Sequence, residues 1–479
     1  MKRAQTRRLA GLLPLIAVCA LLFGCTGYEL APVVEEGEAS ASASVYTSRL
    51  NVLALTPYNN NIWGEGLKVF QKEHPQVEVV VTQAFQISNE RDAAQTLKLN
   101  EEALAQADLV LLSTFSYNYP EDRQMLPDFY KLMEKGAFLD LSGRWDLDKD
   151  EGLNQAVLNA GVYQGQRYLV PLTYNIPILL GGEKLLANLD IDPARCGDIA
   201  GFFAQLSACM PAAKSAGYEE YLLHNGHAHA HFPYSGKYGL YDRQQRALAD
   251  RETVRALCQA YQPYALTDGV QSPYDLSGFH VKDENLAADH YGALAMGKTA
   301  FYLDTLSPNL MFEYLPLKTI DSPVLLPLSD LAGNPQAQVT YTMAIPAASS
   351  NPDEAYKLMR TLLTDEAQKQ MQLNYPSAET WVNNRVTEET LRSLLSDEQL
   401  KSYDASPYFK SGVDRQSQPL AQEDIDAYME IIRSAQPTLS DPFIADLFYE
   451  NIQPYFEGTV DFDICYDNLE KAITAYMEQ

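Results

Sequence analysis

The stretch that most constrains this chain runs from Leu50 to Val81. It opens with an apolar run of strand length, Leu50-Asn-Val-Leu-Ala-Leu55, followed by a turn-rich stretch from Thr56 to Asn61. A helical segment then reaches about His74, with Ile62, Val69 and Phe70 on one face at i, i+7 and i+8. Pro75 stops it, and Val77, Val79 and Val81 alternate with other residues in a second strand. A strand, a helix and a strand in such close succession predict two parallel strands joined by a right-handed crossover.

The pattern continues. Arg91 to Ala107 reads as a helix, Asp108-Leu-Val-Leu-Leu112 as a buried strand, and Lys131 to Gly136 as the end of a short helix. Asn351-Pro-Asp-Glu354 is a helix start, with Asn as N-cap, Pro at the first helical position and Glu at the third. Ala355, Leu358, Met359, Leu362 and Leu363 form that helix's apolar face. The last helix turns Cys465, Leu469, Ala472, Ile473 and Tyr476 inward. The expected fold class is α/β with a helix-rich C-terminus, and no short-period repeat is present.

Ahead of the first strand lies an export signal. Lys2, Arg3, Arg7 and Arg8 form a charged start without an acid, and the apolar run Leu9 to Phe23 follows. That run is short for a membrane span, which needs roughly 20 residues, and no later segment supplies one. Leu22-Phe23-Gly24-Cys25 resembles a bacterial lipobox, so residues 1–24 are expected to be a lipoprotein signal peptide and Cys25 the acylated residue. Residues 25–45 then form a tether. Its Ala, Ser, Glu and Gly content cannot bury a core.

The formal net charge is −27, and loss of the basic signal makes the mature chain more acidic still. Nucleic-acid binding needs clustered Lys and Arg, so that class is excluded. The remainder is well over the ~250–300 residues that one core sustains, so two lobes are expected. Of six cysteines, Cys196, Cys209, Cys258 and Cys465 remain after the signal and Cys25 are set aside. They are too few for a disulfide framework; a Cys196–Cys209 bridge and buried free thiols both stay open.

Six segments, in order, resemble the extracellular solute-binding proteins of ABC importers, in the class that includes maltose-binding protein. They are Val69–Val79, Ala107–Leu112, Leu132–Leu141, Gly161–Pro171, Ala344–Tyr356 and Phe456–Asp463. The resemblance implies a class II, two-lobed periplasmic-binding-protein-like fold with crossover hinge strands. It places an N-terminal lobe at 46–171 and 322–372 and a C-terminal lobe at 172–321 and 373–479. It implies a monomer held on the outer face of the cytoplasmic membrane by lipid on Cys25, with no enzymatic activity and no cofactor. Its partners would be a small solute, expected to be a sugar or oligosaccharide, and the transmembrane subunits of an ABC permease.

Ligands in open α/β sheets sit beyond the carboxyl ends of strands. That rule selects Tyr58, Asn59, Asn60 and Trp63 after the first strand. It selects Ser113, Thr114, Phe115, Tyr117 and Tyr119 after Leu112, Tyr174 and Asn175 at the crossing, and Asp304 after the strand from Thr299. Aromatic faces cover sugar rings while amides and carboxylates take hydroxyls, and the chain holds 30 tyrosines. Sugar-binding relatives often carry a large aromatic where this chain has Leu303-Asp304-Thr305; Trp381 or Phe443 would have to substitute.

Other motifs compete. Gly292-Ala-Leu-Ala-Met-Gly-Lys-Thr299 spells a P-loop, but its expected order is helix then strand, the reverse of a phosphate cradle. His224, His227, His229 and His231 have zinc- or copper-ligand chemistry and support an alternative, a metal-importer binding protein. Asp146, Asp148 and Asp150 begin like a calcium loop but lack its Gly and terminal Glu. Neither G-x-S-x-G nor H-E-x-x-H occurs, which leaves a secreted glycoside hydrolase with paired carboxylates as the enzymatic alternative.

Overall fold

The computed structural model describes residues 46–56, 62–86, 88, 91–114, 124–215, 223–225, 238–266, 294, 301–374, 379–393 and 420–478. In chain order its main elements are β1 (Ser48–Leu55), α1 (Gly64–Glu73), β2 (Val77–Gln83), α2 (Ala93–Leu104), β3 (Leu109–Ser113) and α3 (Phe129–Glu134). Then come β4 (Leu169–Asn175), β5 (Pro177–Gly182), α4 (Ile199–Ser215), β6 (Leu223–Asn225), α5 (Arg251–Leu266), β7 (Phe301–Thr305) and α6 (Met311–Lys318). The rest are β8 (Pro323–Pro327), β9 (Gln336–Ala344), α7 (Pro352–Thr361), α8 (Asp365–Asn374), β10 (Thr380–Trp381), α9 (Asn384–Ser393), α10 (Gln422–Ser434), β11 (Gln436–Thr438), α11 (Pro442–Phe456) and α12 (Phe462–Met477).

Two sheets organise these elements. The first has the order β10-β4-β9-β3-β1-β2, with β11 also paired to β9; the second is β8-β5-β7-β6. The expected unit is there: β1 pairs parallel with β2 and with β3. Helix α2 starts at Asp92, whose carboxylate accepts from Gln95 N while the Gln95 side chain accepts from Asp92 N, a reciprocal cap.

Alternation sorts the strands between cores. Val52, Ala54, Leu109, Leu111, Leu172, Tyr174, Val339, Tyr341 and Met343 face one core, with α1 and α7 to α10 over it. Leu53, Leu55, Val110, Leu112, Leu169 and Ala344 face another, covered by α3. The first of these cores continues under the second sheet through Ile178, Leu180 and Met311. A third core packs α4, α5, α11 and α12 against Leu179.

The strands near the expected boundaries at 171/172, 321/322 and 372/373 pair as follows. Strand β4 stays in the first sheet to Asn175, paired with Gln338, and β5 enters the second at Pro177. Strand β8 is still in the second sheet at Pro327. Trp381, Leu391, Ile425, Tyr428 and Ile432 fill the first core, whereas Ile444, Phe448 and Ile452 of α11 lie in the third.

Asn351 precedes α7 with Pro352 at its first position, but its side chain does not cap the helix. Its amide instead donates to Arg49 O, and its backbone N–H goes to Asp108. The four cysteines Cys196, Cys209, Cys258 and Cys465 are buried free thiols, so no Cys196–Cys209 bridge forms. Among the described residues no helix is long and apolar enough to cross a membrane.

Candidate functional site

The junction between the two sheets is where polar chemistry collects. On the α3 side of the first sheet, β9 changes character as it approaches the crossing. Ala344 is apolar, but Thr342, Thr340, Gln338 and Gln336 follow on the same face, all buried. Thr173 and Asn175 of β4 join them. The hydroxyls of Thr173 and Thr340 lie 2.7 Å apart, and Gln336 Nε2 donates to Asp330 Oδ2 at 3.0 Å. Thr114, just past the carboxyl end of β3, donates through Oγ1 to the carbonyls of Val339 and Thr340.

This polar row leads to a cavity of about 550 Å³. Tyr130, Met133, Asn159 and Tyr163 line it from the first-sheet side, and Tyr241, Asp242, Arg243, Asp441 and Ile444 from the other. Gln336 and the segment Gln436–Leu439 lie between them. Three tyrosines with amides, carboxylates and one guanidinium make a lining suited to a polar, hydroxyl-rich molecule.

Arg243 is the centre of its electrostatics. Its side chain is 6% exposed, Nη1 donates to Asp441 Oδ2, and Nη2 donates to Glu134 Oε1 at 3.2 Å. Its guanidinium also lies over the Tyr130 ring at 4.8 Å and the Tyr476 ring at 5.3 Å. Burial opposes the charge, but Asp441, Tyr476 and Glu134 outweigh it, so the guanidinium stays protonated. Burial pushes the Asp441 carboxyl up to about 6, against the pull of Arg243 and of the Phe443 and Ile444 amides it caps. The Tyr163 hydroxyl, raised by burial and by Glu134, donates to Glu134 Oε1 at 2.8 Å.

The sequence candidates are placed as follows. Trp63, Tyr174 and Trp381 are each at most 1% exposed in the first core. They offer a solute no surface in this conformation, because large aromatics here fill the space between sheet and helices. Trp63 packs edge-on to Tyr341 at 5.7 Å, and the Tyr174 hydroxyl accepts from Asn154 Nδ2 at 3.3 Å. Ser113 is buried opposite Tyr341 in the strand pairing. Phe443, expected near the ligand, stacks on Tyr476 at 6.1 Å beside the junction. Asp304 lies on β7 opposite Ile178. Tyr58, Asn60, Tyr117, His227, His229, His231 and Cys25 lie outside the described residues, as does most of the P-loop-like string; His224 sits on β6, opposite Tyr302.

Arg243, Tyr130, Tyr163 and Tyr241 went unrecognised in the sequence. Only Asp441-Pro442, an N-cap with proline at the first helical position, carried a readable signal. Asp146, Asp148 and Asp150 are drawn into separate contacts: Asp146 with Arg360, Asp148 with the Trp145 indole N–H, and Asp150 with Arg385. Among the described residues no group of three or more His, Cys, Asp or Glu is placed to hold a metal.

Neither any protein-family model nor any curated protein sequence matches the chain. Solved structures match its fold. The GacH receptor of Streptomyces glaucescens, determined unliganded and with acarbose, is 13% identical, with 89% of this chain and 97% of that one covered at a TM-score of 0.50. An ABC substrate-binding protein from Listeria monocytogenes in complex with cycloalternan is 14% identical, at 90% and 99% coverage and a TM-score of 0.51. An extracellular solute-binding protein family 1 member from Alicyclobacillus acidocaldarius is 15% identical, at 90% and 98% coverage and a TM-score of 0.50. The chain therefore has the mixed α/β, two-lobed fold of periplasmic binding proteins.

Proposed function

We propose that this protein is a binding protein, not an enzyme, that captures a sugar or oligosaccharide outside the cell and presents it to an ABC permease. The observation that carries this reading is the convergence of the strand ends and the polar crossing strands on one junction of a two-lobed fold. The similar proteins crystallised with acarbose and cycloalternan support a carbohydrate solute. The lobes divide at Ile176, within 328–335 and between Thr438 and Pro442, and bend there to enclose the solute. Tyr58, Asn60 and Tyr117, which follow β1 and β3 in the chain, and Asp304 on β7 are its first contacts. Cys25 carries the lipid, and the tether gives the monomer reach to the permease.

Thermal unfolding against a panel of oligosaccharides, polyols, peptides and divalent metals tests the solute class. A ligand at 100 times its Kd stabilises by about 2.7 kcal/mol. A sugar response without release of shorter sugars supports the reading; a response to zinc alone, or turnover, sinks it. Cys25→Ser should move the protein from the membrane to the soluble fraction without changing sugar affinity.

A further inference from the structure

Around Arg243 the contacts cross from one lobe to the other. The short helix α3 belongs to the first sheet's cover, and Phe129, Tyr130 and Met133 lie in that core. Arg243 follows Tyr238 and Leu240, which belong to the core of α4, α5, α11 and α12. Glu134 of α3 accepts from Arg243 Nη2 at 3.2 Å. Asp128, which caps α3 through Oδ1, accepts from the Tyr476 hydroxyl of α12 through Oδ2 at 2.6 Å. Lys131 Nζ lies 4.4 Å from the centre of the Tyr476 ring. One turn and a half of helix thus receives a buried cation and a tyrosine hydroxyl from the opposite lobe.

These contacts differ from ordinary surface ion pairs. Arg243 is nearly dry, and among the described residues its Nε has no hydrogen-bond partner. Its two carboxylates come from different sides: Asp441 begins α11, whereas Glu134 ends α3. If α3 moves away, Arg243 keeps Asp441 but loses Glu134 and the Tyr130 face, and Tyr476 loses Asp128. Movement between the lobes is therefore coupled to a discrete set of polar contacts, and a set of this kind is either made or broken.

We propose that Arg243 and Tyr476 form a cross-lobe latch on α3. It holds the lobes in the placement described here, so solute-driven rearrangement works against it. The proposal rests on the hinged two-lobe reading above, but its test needs no solute. The mature chain would be labelled at Lys98→Cys and Lys184→Cys, exposed positions on α2 and just after β5, and the interlobe distance followed by single-molecule fluorescence transfer. Cys25 would be replaced by serine, and the thiols of Cys196, Cys209, Cys258 and Cys465 are buried and do not compete for dye.

Glu134→Gln and Tyr476→Phe keep size and remove the charge and the hydroxyl. The double variant should change the population ratio of interlobe distances roughly tenfold, equivalent to about 1.4 kcal/mol, while each single variant does less. A distance distribution unchanged from the parent in a folded double variant overturns the latch. If the double variant fails to fold, Glu134→Gln alone decides by the same criterion. A negative sugar panel with a shifted distribution would remove the solute assignment and leave the latch standing.

Discussion

Replacing Asp108 with asparagine isolates a single carboxylate that joins three segments of the first lobe. Asp108 is 1% exposed at the start of β3. Its Oδ2 accepts from the Asn51 amide of β1 at 2.9 Å. Its Oδ1 accepts from Ser349 Oγ at 3.0 Å and from Ser350 N, Ser350 Oγ and Asn351 N, each at 3.2 Å. Asparagine has the same shape but one acceptor oxygen, and its NH₂ must face either the Asn51 donor or the serine cluster. Hydrogen bonds to a charged group contribute about 1.5–3 kcal/mol each. Counting the Asn51 bond in full and discounting the serine side, where water reaches Ser350, gives a loss of about 3 kcal/mol. Burial raises the carboxyl, but the bonds from Asn51, Ser349, Ser350 and Asn351 outweigh it and hold it below its ordinary value of 3.8. A depressed carboxyl contributes stability above its unfolded value and loses it as pH falls through the folded one. The stability gap between parent and Asp108→Asn should therefore be flat from pH 8 to about 5 and narrow below about 4. Urea unfolding followed by tryptophan fluorescence measures it, with midpoints compared at constant slope. A gap under about 0.5 kcal/mol at pH 7, or one that widens on acidification, would refute the reasoning.

Two further outcomes follow from particular contacts. A Cβ on Gly161 would sit 1.8 Å from the Leu169 carbonyl oxygen, which is backbone and cannot step aside, so Gly161→Ala should cost about 3 kcal/mol. Gly136→Ala, at φ +65° in open space, should cost only about 1 kcal/mol, and thermal melts of the two would rank them. Burial pushes the thiols of Cys196 and Cys209 up to about 11 and that of Cys258 up to about 12. An aromatic disulfide reagent at pH 8 should find almost no reactive thiol until denaturant is added, and reducing agent should leave the melting temperature unchanged.

The sequence made the first sheet legible because its strands and helices differ in period. Val77, Val79 and Val81 and the run Asp108–Leu112 could be little else, and β1, β2 and β3 pair as that pattern requires. The lobe boundaries were harder. β4 and β5 are both fully buried, with one residue between them, so nothing local says where the chain leaves one sheet for the other. The burial of Trp63, Tyr174 and Trp381 was illegible for a related reason. Position after a strand suggests a ligand, but the same side chain can turn into the core, and only the packing of α1 and of α8 to α10 decides. Arg243 had no pattern at all, since its partners lie 109 and 198 residues away in the chain.

The crossing strands carry an apolar core on one face and a polar row on the other. On one face β4 and β9 carry Leu172, Tyr174, Val339 and Tyr341 into the first core. On the other, the side chains turn from Leu169 and Ala344 to Thr173, Thr340, Thr342, Gln338 and Gln336 as the crossing nears. An apolar seam there would gain by staying shut, because each exposed Å² of apolar surface costs about 25 cal/mol. Hydroxyls and amides exchange partners with water at a small net cost, provided each donor finds an acceptor. Thr173 with Thr340, Gln336 with Asp330 and Thr438 with Gln336 are pairs of that kind. A polar row of this kind lowers the hydrophobic cost of exposing that face to water. Beside that row, Arg243 and Tyr476 tie the core of α4, α5, α11 and α12 to α3 through Glu134 and Asp128.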